Sequence, residues 1–357
     1  MSEEKKVIIS AKDVEVKFRV RDKYLTAIRN VSLDLYEGET FAIVGESGSG
    51  KSVFTKTFTG MLESNGMISN GSVMFHGTDL TKLKKDKDWE GIRGAKIATI
   101  FQDPMTSLNP IRTIGFQITE VIEKHQKVSK TEAKKQAIEM MERVGIPDAA
   151  NRFDEYPFQY SGGMRQRIVI AIALSCHPEI LICDEPTTAL DVTIQAQIID
   201  LIRSLQKELG FTTLYITHDL GVVANVADRV GVMYGGQIIE YGTVEEIFFD
   251  PRHPYTWALL SSLPQIGEKG KDLYYITGTP PSLFNKIKGD AFAPRNEHAL
   301  NIDFQEEPPF FQVSDTHFAK TWLLDPRAPK VEKPEEICDL HEKIQRMTDK
   351  GGAFYVE

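Results

Sequence analysis

Apolar and polar positions change rhythm several times along the chain. Residues 7–18 alternate toward their end, Val14, Val16 and Phe18 against Asp13, Glu15 and Lys17, and residues 26–35 do the same. A period of two predicts paired strands. Short, largely apolar runs at 41–44, 95–101, 179–183 and 211–217 predict further strands, and Ser72-Val-Met-Phe-His76 adds one between Gly66 and Gly77. Residues 229–234 and 237–241 read as a hairpin around Gly235-Gly236. Helices are expected over 52–62 and about 192–208. Between 103 and 178 helical periodicity replaces the short strands: Ser129-Lys-Thr-Glu132 is a capping-box pattern opening a helix that carries Ala133, Ala137, Ile138, Met141 and Val144, with Gly145 as its stop. The pattern predicts an α/β domain with a helical insertion.

The candidate chemistry sits where these runs end. Phe41-Ala-Ile-Val-Gly45-Glu46-Ser47-Gly48-Ser49-Gly50-Lys51-Ser52 is an apolar strand running into a glycine-rich turn. Its N–H groups can converge on a phosphate at a helix N-terminus, which carries roughly half a positive charge. Lys51 would reach the β- and γ-phosphates and the Ser52 hydroxyl would hold Mg²⁺, with Gly45 through Val53 forming the contact set. A chance Gly/Ser loop would not bring the full Gly-x-x-x-x-Gly-Lys-Ser spacing behind a strand. Gln102 follows the strand 95–101 at the sheet edge where α/β proteins bind ligands, placed for Mg²⁺ or the attacking water. Asp184 and Glu185 end another strand, the first suited to the metal and the second to polarising water; such carboxylates would be costly there without a functional load. His218 ends a third, at the same edge. Ser161-Gly162-Gly163 opens a helix as a second anion-binding terminus, which one chain has little reason to own unless it serves a neighbour. Phe18 or Tyr24, the latter read as lying in a turn, would present a ring to adenine, and Phe18 is preferred.

Composition narrows the picture. The 357 residues are 41% hydrophobic, enough for one nucleotide-binding domain and an appendage. A net charge of −9 without a Lys/Arg run excludes a broad grip on nucleic acid. No apolar run reaches transmembrane length, and Met1-Ser-Glu-Glu-Lys-Lys6 has no apolar core for a signal peptide, so the chain is expected to stay in the cytoplasm. Cys176, Cys183 and Cys338 form no CxxC pair; the first two read as small buried apolar residues.

In order, the loop Gly45–Ser52, Gln102, Ser161-Gly162-Gly163, Ile180–Asp184, Glu185, Ala189-Leu190-Asp191 and His218 resemble the Walker A, Q-loop, signature, Walker B, catalytic glutamate, D-loop and switch of the ATP-binding cassette of ABC transporters. The resemblance covers roughly residues 7–245. Tyr160 and Met164 depart from the commonest signature, in a form usual in one branch. His253-Pro-Tyr-Thr-Trp-Ala-Leu-Leu260 and Gly278-Thr-Pro-Pro-Ser-Leu283 resemble the extension of the oligopeptide/dipeptide/nickel permease ATPases, closest to the D-type Opp/Ami branch of streptococcal-type bacteria.

The resemblance implies a P-loop NTPase cassette at 1–245, with a RecA-like core, an antiparallel β subdomain and a helical subdomain at about 103–178, followed by the family's extension at 246–357. It implies ATP hydrolysis with Mg²⁺ held by Ser52, Gln102 and Asp184; catalysis by Glu185, His218, Lys51 and Gln102; and Ser161, Gly162, Gly163 and Asp191 acting on the ATP of a partner. The implied machine pairs this chain with a second, F-type ATPase beneath two membrane subunits, at the cytoplasmic face, fed by an extracellular peptide-binding lipoprotein. Nickel or dipeptide cargo stays open, because the cassette does not touch cargo; a homodimer stays open too. A soluble ABC protein of translation or DNA repair would call for two cassettes or a long coiled-coil insertion, and a module that hardly hydrolyses would lack Glu185 or His218. Many relatives carry four cysteines for an iron–sulfur cluster in the extension. Here Asp290, Asn296, Asp303 and Thr321 stand in that frame, so no cluster is expected. An oxygen/nitrogen metal site from His298, His317, Asp290 and Asp303 is weighed and set below a metal-free polar extension. The tail 325–357, rich in Lys and Glu, is expected to be partly mobile.

Overall fold

The computed structural model describes residues 5–102, 104–188, 190–263 and 276–338; Ala189 of the D-loop and the tail beyond residue 338 lie outside them. The strands are β1 (Val7–Val20), β2 (Lys23–Tyr36), β3 (Thr40–Val44), β4 (Gly66–Phe75), β5 (Thr78–Asp79), β6 (Ile97–Ile100), β7 (Ile180–Asp184), β8 (Thr212–Ile216), β9 (Arg229–Tyr234), β10 (Gln237–Thr243), β11 (Phe311–Gln312) and β12 (Phe318–Ala319). They form two sheets. One is antiparallel, in the order β2-β1-β4-β5, and the other runs β11-β12-β10-β9-β3-β8-β7-β6. In the larger sheet β3 lies between β8 and β9 and parallel to both, and β6, β7 and β8 are mutually parallel.

The central strands read as unbroken apolar runs because both of their faces are covered. Phe41 and Ile43 of β3 pack with the antiparallel sheet and with Phe54 and Phe58 of the helix Lys51–Thr59. Ala42 and Val44 point the other way, into a core shared with Ile118, Ile168 and Ile198 of the helices Ile114–His125, Gly162–Leu174 and Val192–Leu209. Each buried Val, Ile or Phe side chain among these contributes about 1.5–3 kcal/mol before entropy is charged against it. The consequence for the site is rigidity: the strand that feeds the phosphate loop is wedged in the middle of the sheet.

Several boundaries move from the sequence expectation. The first helix stops at Thr59, where Gly60 takes a left-handed cap. Tyr24 lies on β2 and not in a turn. Ser129 does accept from the Glu132 N–H at 3.2 Å, and Gly145 is left-handed, but the Glu132 carboxylate accepts from Gln136 Nε2 instead of closing the box. The helical block is real: the helices Ile114–His125, Lys130–Arg143 and Gly162–Leu174 pack on one another. Cys183 is buried and Cys176 half-buried.

The chain beyond residue 246 does not stand apart. β12 pairs with β10, Glu240 opposite Ala319 and Tyr241 opposite Phe318, so the extension continues the sheet of the cassette. The four positions in the cysteine frame each cap backbone. Asp290 accepts from the Phe292 N–H, Asn296 from His298, Asp303 from Leu300 and Thr321 from Leu323, at 2.9, 2.9, 2.6 and 3.3 Å. Two carboxylates, an amide and a hydroxyl do not fit an iron–sulfur cluster, which takes thiolates. His317 faces Glu240 at 2.8 Å and His298 packs beside Trp257, so the four oxygen/nitrogen candidates divide among separate partners.

Asp290 makes this region sensitive to pH. Burial, reinforced by Asp303, pushes its carboxyl up from 3.8 to about 7, against the opposing Phe292 N–H, Arg29 and Lys320. The folded chain thus holds a proton that the unfolded chain has already released above about pH 4, so stability falls as pH rises from there to about 7. Asp290→Asn, which mimics the protonated acid, is expected to change the melting temperature little near pH 4, where the unfolded carboxyl is itself largely protonated, and to raise it progressively above that, by about 3–6 °C at pH 8. Thermal melts of both proteins across that range check it; a difference independent of pH would refute it.

Candidate functional site

Gly45 follows β3 directly, with φ +149° and a position where a Cβ would stand 2.1 Å from the Met233 carbonyl oxygen. Only glycine lets the loop turn this close to β9. From beneath, the β9–β10 hairpin holds the turn, Gly236 N–H donating to the Ser49 carbonyl at 3.0 Å. The loop then delivers Lys51 and Ser52 to the start of the helix Lys51–Thr59.

Above it lies a hollow of about 480 Å³. One wall is apolar, with Phe18, Leu25, Ala27 and Leu283; Ser47, Gly48, Gly50 and Val53 border it too. Its floor carries Lys51, Ser52, Gln102, Asp184 and Glu185. Tyr24 borders a different hollow with Arg19, Arg21 and Asn65. Gly45, Glu46 and Ser49 support the loop from behind, and the Glu46 side chain is turned to Arg295.

Lys51 is buried, and its amine donates to the carbonyls of Gly45 and Glu46 at 2.7 and 3.0 Å. Burial lowers its pKa, while Glu185, Asp184 and Glu46 oppose the shift. Ser52 Oγ donates to Asp184 Oδ1 at 2.8 Å. Asp184 is raised chiefly by burial and further by Glu185, against the Ser52 bond and Lys56 and Lys51. A hydroxyl, a carboxylate and the Gln102 amide form a hard-oxygen donor set of the kind Mg²⁺ takes. The loop also fits a polyphosphate: a Cβ on Gly48 would meet nothing within 4 Å, and the buried Ser49 hydroxyl has no partner among the described residues.

Glu185 is the centre of the polar floor. Gln102 Nε2 donates to Oε2 at 3.2 Å, Thr188 Oγ1 to the same oxygen at 3.0 Å, and His218 Nδ1 stands 3.2 Å from Oε1. Its φ of +47° is left-handed, a strain of about 1–3 kcal/mol for a side-chain-bearing residue, held by its N–H donating to the Ile216 carbonyl at 2.8 Å. Thus Lys51, Ser52, Gln102, Asp184, Glu185 and His218 meet at the C-terminal edge of β3, β6, β7 and β8.

Ser161, Gly162, Gly163 and Asp191 belong to no wall of this hollow. Ser161 caps its helix by accepting from the Met164 N–H, and Asp191 caps the helix Val192–Leu209 by accepting from Ile194. These two ends pack together, since a Cβ on Gly163 would come within 2.8 Å of Ile194. Ser161-Gly162-Gly163 thus forms a second capped helix N-terminus that does not line the hollow above the phosphate loop.

Sequence reasoning missed Gln166, buried in the helix Gly162–Leu174, whose Nε2 donates to the Pro186 carbonyl at 2.6 Å and ties the signature helix to the turn after Glu185. Thr188 was missed as well, although its place three residues after Glu185 was a usable signal. Tyr255 Oη, which accepts from the Glu46 N–H at 2.8 Å, and Arg295 lie 209 and 249 residues from the loop, beyond any local pattern.

A glycine-rich loop ending in Lys-Ser, two strand-end carboxylates, a glutamine and a histidine on one parallel edge, and a helical insertion ending in Ser-Gly-Gly define an ATP-binding cassette, the ATPase of ABC transporters. Residues 28–188 match the ABC transporter family and residues 239–302 the oligopeptide/dipeptide transporter C-terminal region. The oligopeptide transport ATP-binding protein AmiE of Streptococcus pneumoniae is 69% identical over 345 residues, 97% of either chain. The dipeptide transport ATP-binding protein DppD of Lactococcus lactis is 58% identical over 338 residues, 94% of this chain and 96% of that one. Among solved structures, the dimeric, post-hydrolysis ATP-binding cassette MJ0796 bound to ADP and Pi superimposes with a TM-score of 0.59 at 28% identity, over 66% of this chain and 98% of that one. The chain belongs to the ATP-binding proteins of oligopeptide and dipeptide ABC transporters.

Proposed function

We propose that this chain is the ATP-hydrolysing subunit of an importer that carries oligopeptides across the cytoplasmic membrane. The observation that carries the reading is the split of the phosphate machinery: Lys51, Ser52, Asp184 and Glu185 line one hollow, and Ser161 to Gly163 are not part of it. In a head-to-tail pair each ATP lies between the loop of one subunit and the signature of the other, and its binding draws them together. The dimeric state of MJ0796 is in keeping with this. A non-identical, F-type ATPase is the proposed partner, and Asp191 stands beside that contact.

Mg²⁺, held by Ser52, Asp184 and Gln102, would neutralise charge that develops on the phosphates. Lys51 adds a fixed cation under the transferring group. Glu185 receives a proton from the attacking water, and His218, already beside Glu185, contacts the γ-phosphate. Phe18 stacks on adenine from the apolar wall. Phe18→Ala is expected to raise the Kd for ATP about 5-fold and Tyr24→Ala to leave it unchanged, as equilibrium binding would show.

Among the described residues no helix is long and apolar enough to cross a membrane, so the transport path belongs to other subunits. A groove bordered by Thr99, Phe101, Ser107, Val169, Ile172 and Ala173 lies beside Gln102, with Ile111 and Phe116 exposed nearby. It supports docking of the cytoplasmic segments of two permease subunits there, with a peptide-binding lipoprotein on the far side of the membrane. Dipeptide cargo is the second reading, favoured by the DppD relative. The test is ATP hydrolysis by this chain alone and then with the second ATPase and the permease subunits in vesicles. Activity should rise on assembly and again with peptide-loaded binding protein. Full activity alone, indifferent to both, would overturn the coupling.

A further inference from the structure

The phosphate-binding loop is gripped by the extension. Glu46, second residue of the loop, is held at three groups: its N–H donates to Tyr255 Oη at 2.8 Å, its carboxylate oxygens Oε2 and Oε1 accept from Arg295 Nη1 and Nη2 at 2.7 and 3.0 Å, and its carbonyl accepts from Lys51 Nζ at 3.0 Å. Tyr255 and Arg295 both lie beyond residue 246, whereas Lys51 is the phosphate ligand. A single residue thus links the extension to the cation under the phosphates.

Arg295 is built for this position. Its side chain is 5% exposed. Besides Glu46 it donates to Tyr234 Oη at 3.1 Å, to the Thr277 carbonyl at 2.9 Å and to that of Ile276 at 3.3 Å. The rings of Tyr234, Tyr255 and Phe292 pack around it with centroids 4.6–5.3 Å apart. An exposed ion pair would contribute little, but a bidentate, shielded one fixes direction as well as distance. From the same extension, the Leu283 carbonyl accepts from the Thr26 N–H at 3.1 Å and the residue borders the nucleotide hollow with Phe18.

We propose that the C-terminal extension is a working part of the nucleotide site, in which Arg295, supported by Tyr255, is a positioning residue that sets the phosphate-binding loop through Glu46. The inference rests on the reading of Gly45–Ser52 as the ATP phosphate site. It gives the extension a task that needs no cluster or metal: whatever shifts it shifts ATP affinity.

The experiment measures the Kd for ATP with Mg²⁺, by displacement of a fluorescent ATP analogue from the full chain, for wild type, Arg295→Ala, Arg295→Lys, Glu46→Gln and the Glu46→Gln/Arg295→Ala double variant. Each alanine or glutamine variant is expected to weaken ATP binding ~10-fold, and the double variant no further, because both remove one coupled contact. Arg295→Lys should recover only part of the loss, a point charge replacing a fork. Should Arg295→Ala fail to fold, Glu46→Gln leaves the extension intact and tests the same contact. Unchanged affinity in Glu46→Gln, or losses that multiply to ~100-fold in the double variant, would overturn the inference. Failure of the wild-type chain to bind ATP would instead strike the nucleotide-site reading itself.

Discussion

Glu185→Gln is expected to lower kcat for ATP hydrolysis by about 10²–10³-fold while ATP affinity stays within about twofold, because general-base help is worth that much and binding does not draw on it. The amide is close to isosteric, and its oxygen can take the place of Oε2, which accepts from Gln102 and Thr188, with the amide NH2 facing His218 Nδ1. What it cannot do is take the proton from water. The left-handed backbone at residue 185 aims the carboxylate out of the β7 direction toward Gln102 and His218, a strained geometry that structure alone does not require. Steady-state phosphate release together with equilibrium ATP binding checks this. A loss in affinity equal to that in kcat would show that Glu185 organises the loop and is not the base.

Lys51→Ala is expected to weaken ATP binding by about 100-fold, the order of a buried charge-assisted contact to phosphate, with little change in the melting temperature of the nucleotide-free chain. The two effects separate for a physical reason. The amine is buried among loop carbonyls, its pKa lowered by burial, so the folded chain carries a desolvation cost that its two hydrogen bonds offset. Removing it gives up both together. Phosphate, bringing negative charge, is what makes the buried cation favourable. Melting curves with and without ATP, beside the binding measurement, test the pair of outcomes; a large destabilisation without nucleotide would make Lys51 a structural strut.

Much of the fold was legible because its signals are local. The strand feeding the loop, the switch to helical periodicity at 103–178, the hairpin at Gly235-Gly236 and the order of the nucleotide motifs can all be read within short windows. Boundaries slipped where a cap or a partner strand decides: Gly60 ends the first helix early, and β2 extends past Tyr24 because β1 pairs with it as far as Val20. The choice between Phe18 and Tyr24 turns on which face of the antiparallel sheet meets the loop, and no periodicity in the sequence records that.

The extension marks the limit most clearly. Its motifs identify a family, but not that β12 would extend the cassette sheet at β10, nor that Arg295 would reach Glu46. By itself the sequence determined the residue types and spacings that phosphate chemistry demands, since a loop, a cation and strand-end carboxylates need particular side chains at particular offsets. Only the tertiary structure decided which of these groups meet. It brings Gln102, Glu185 and His218 to one edge, leaves Ser161 out of the hollow, and closes the extension onto the phosphate loop. Those contacts span from dozens to some 250 residues and follow from how the sheets pack and not from any local pattern.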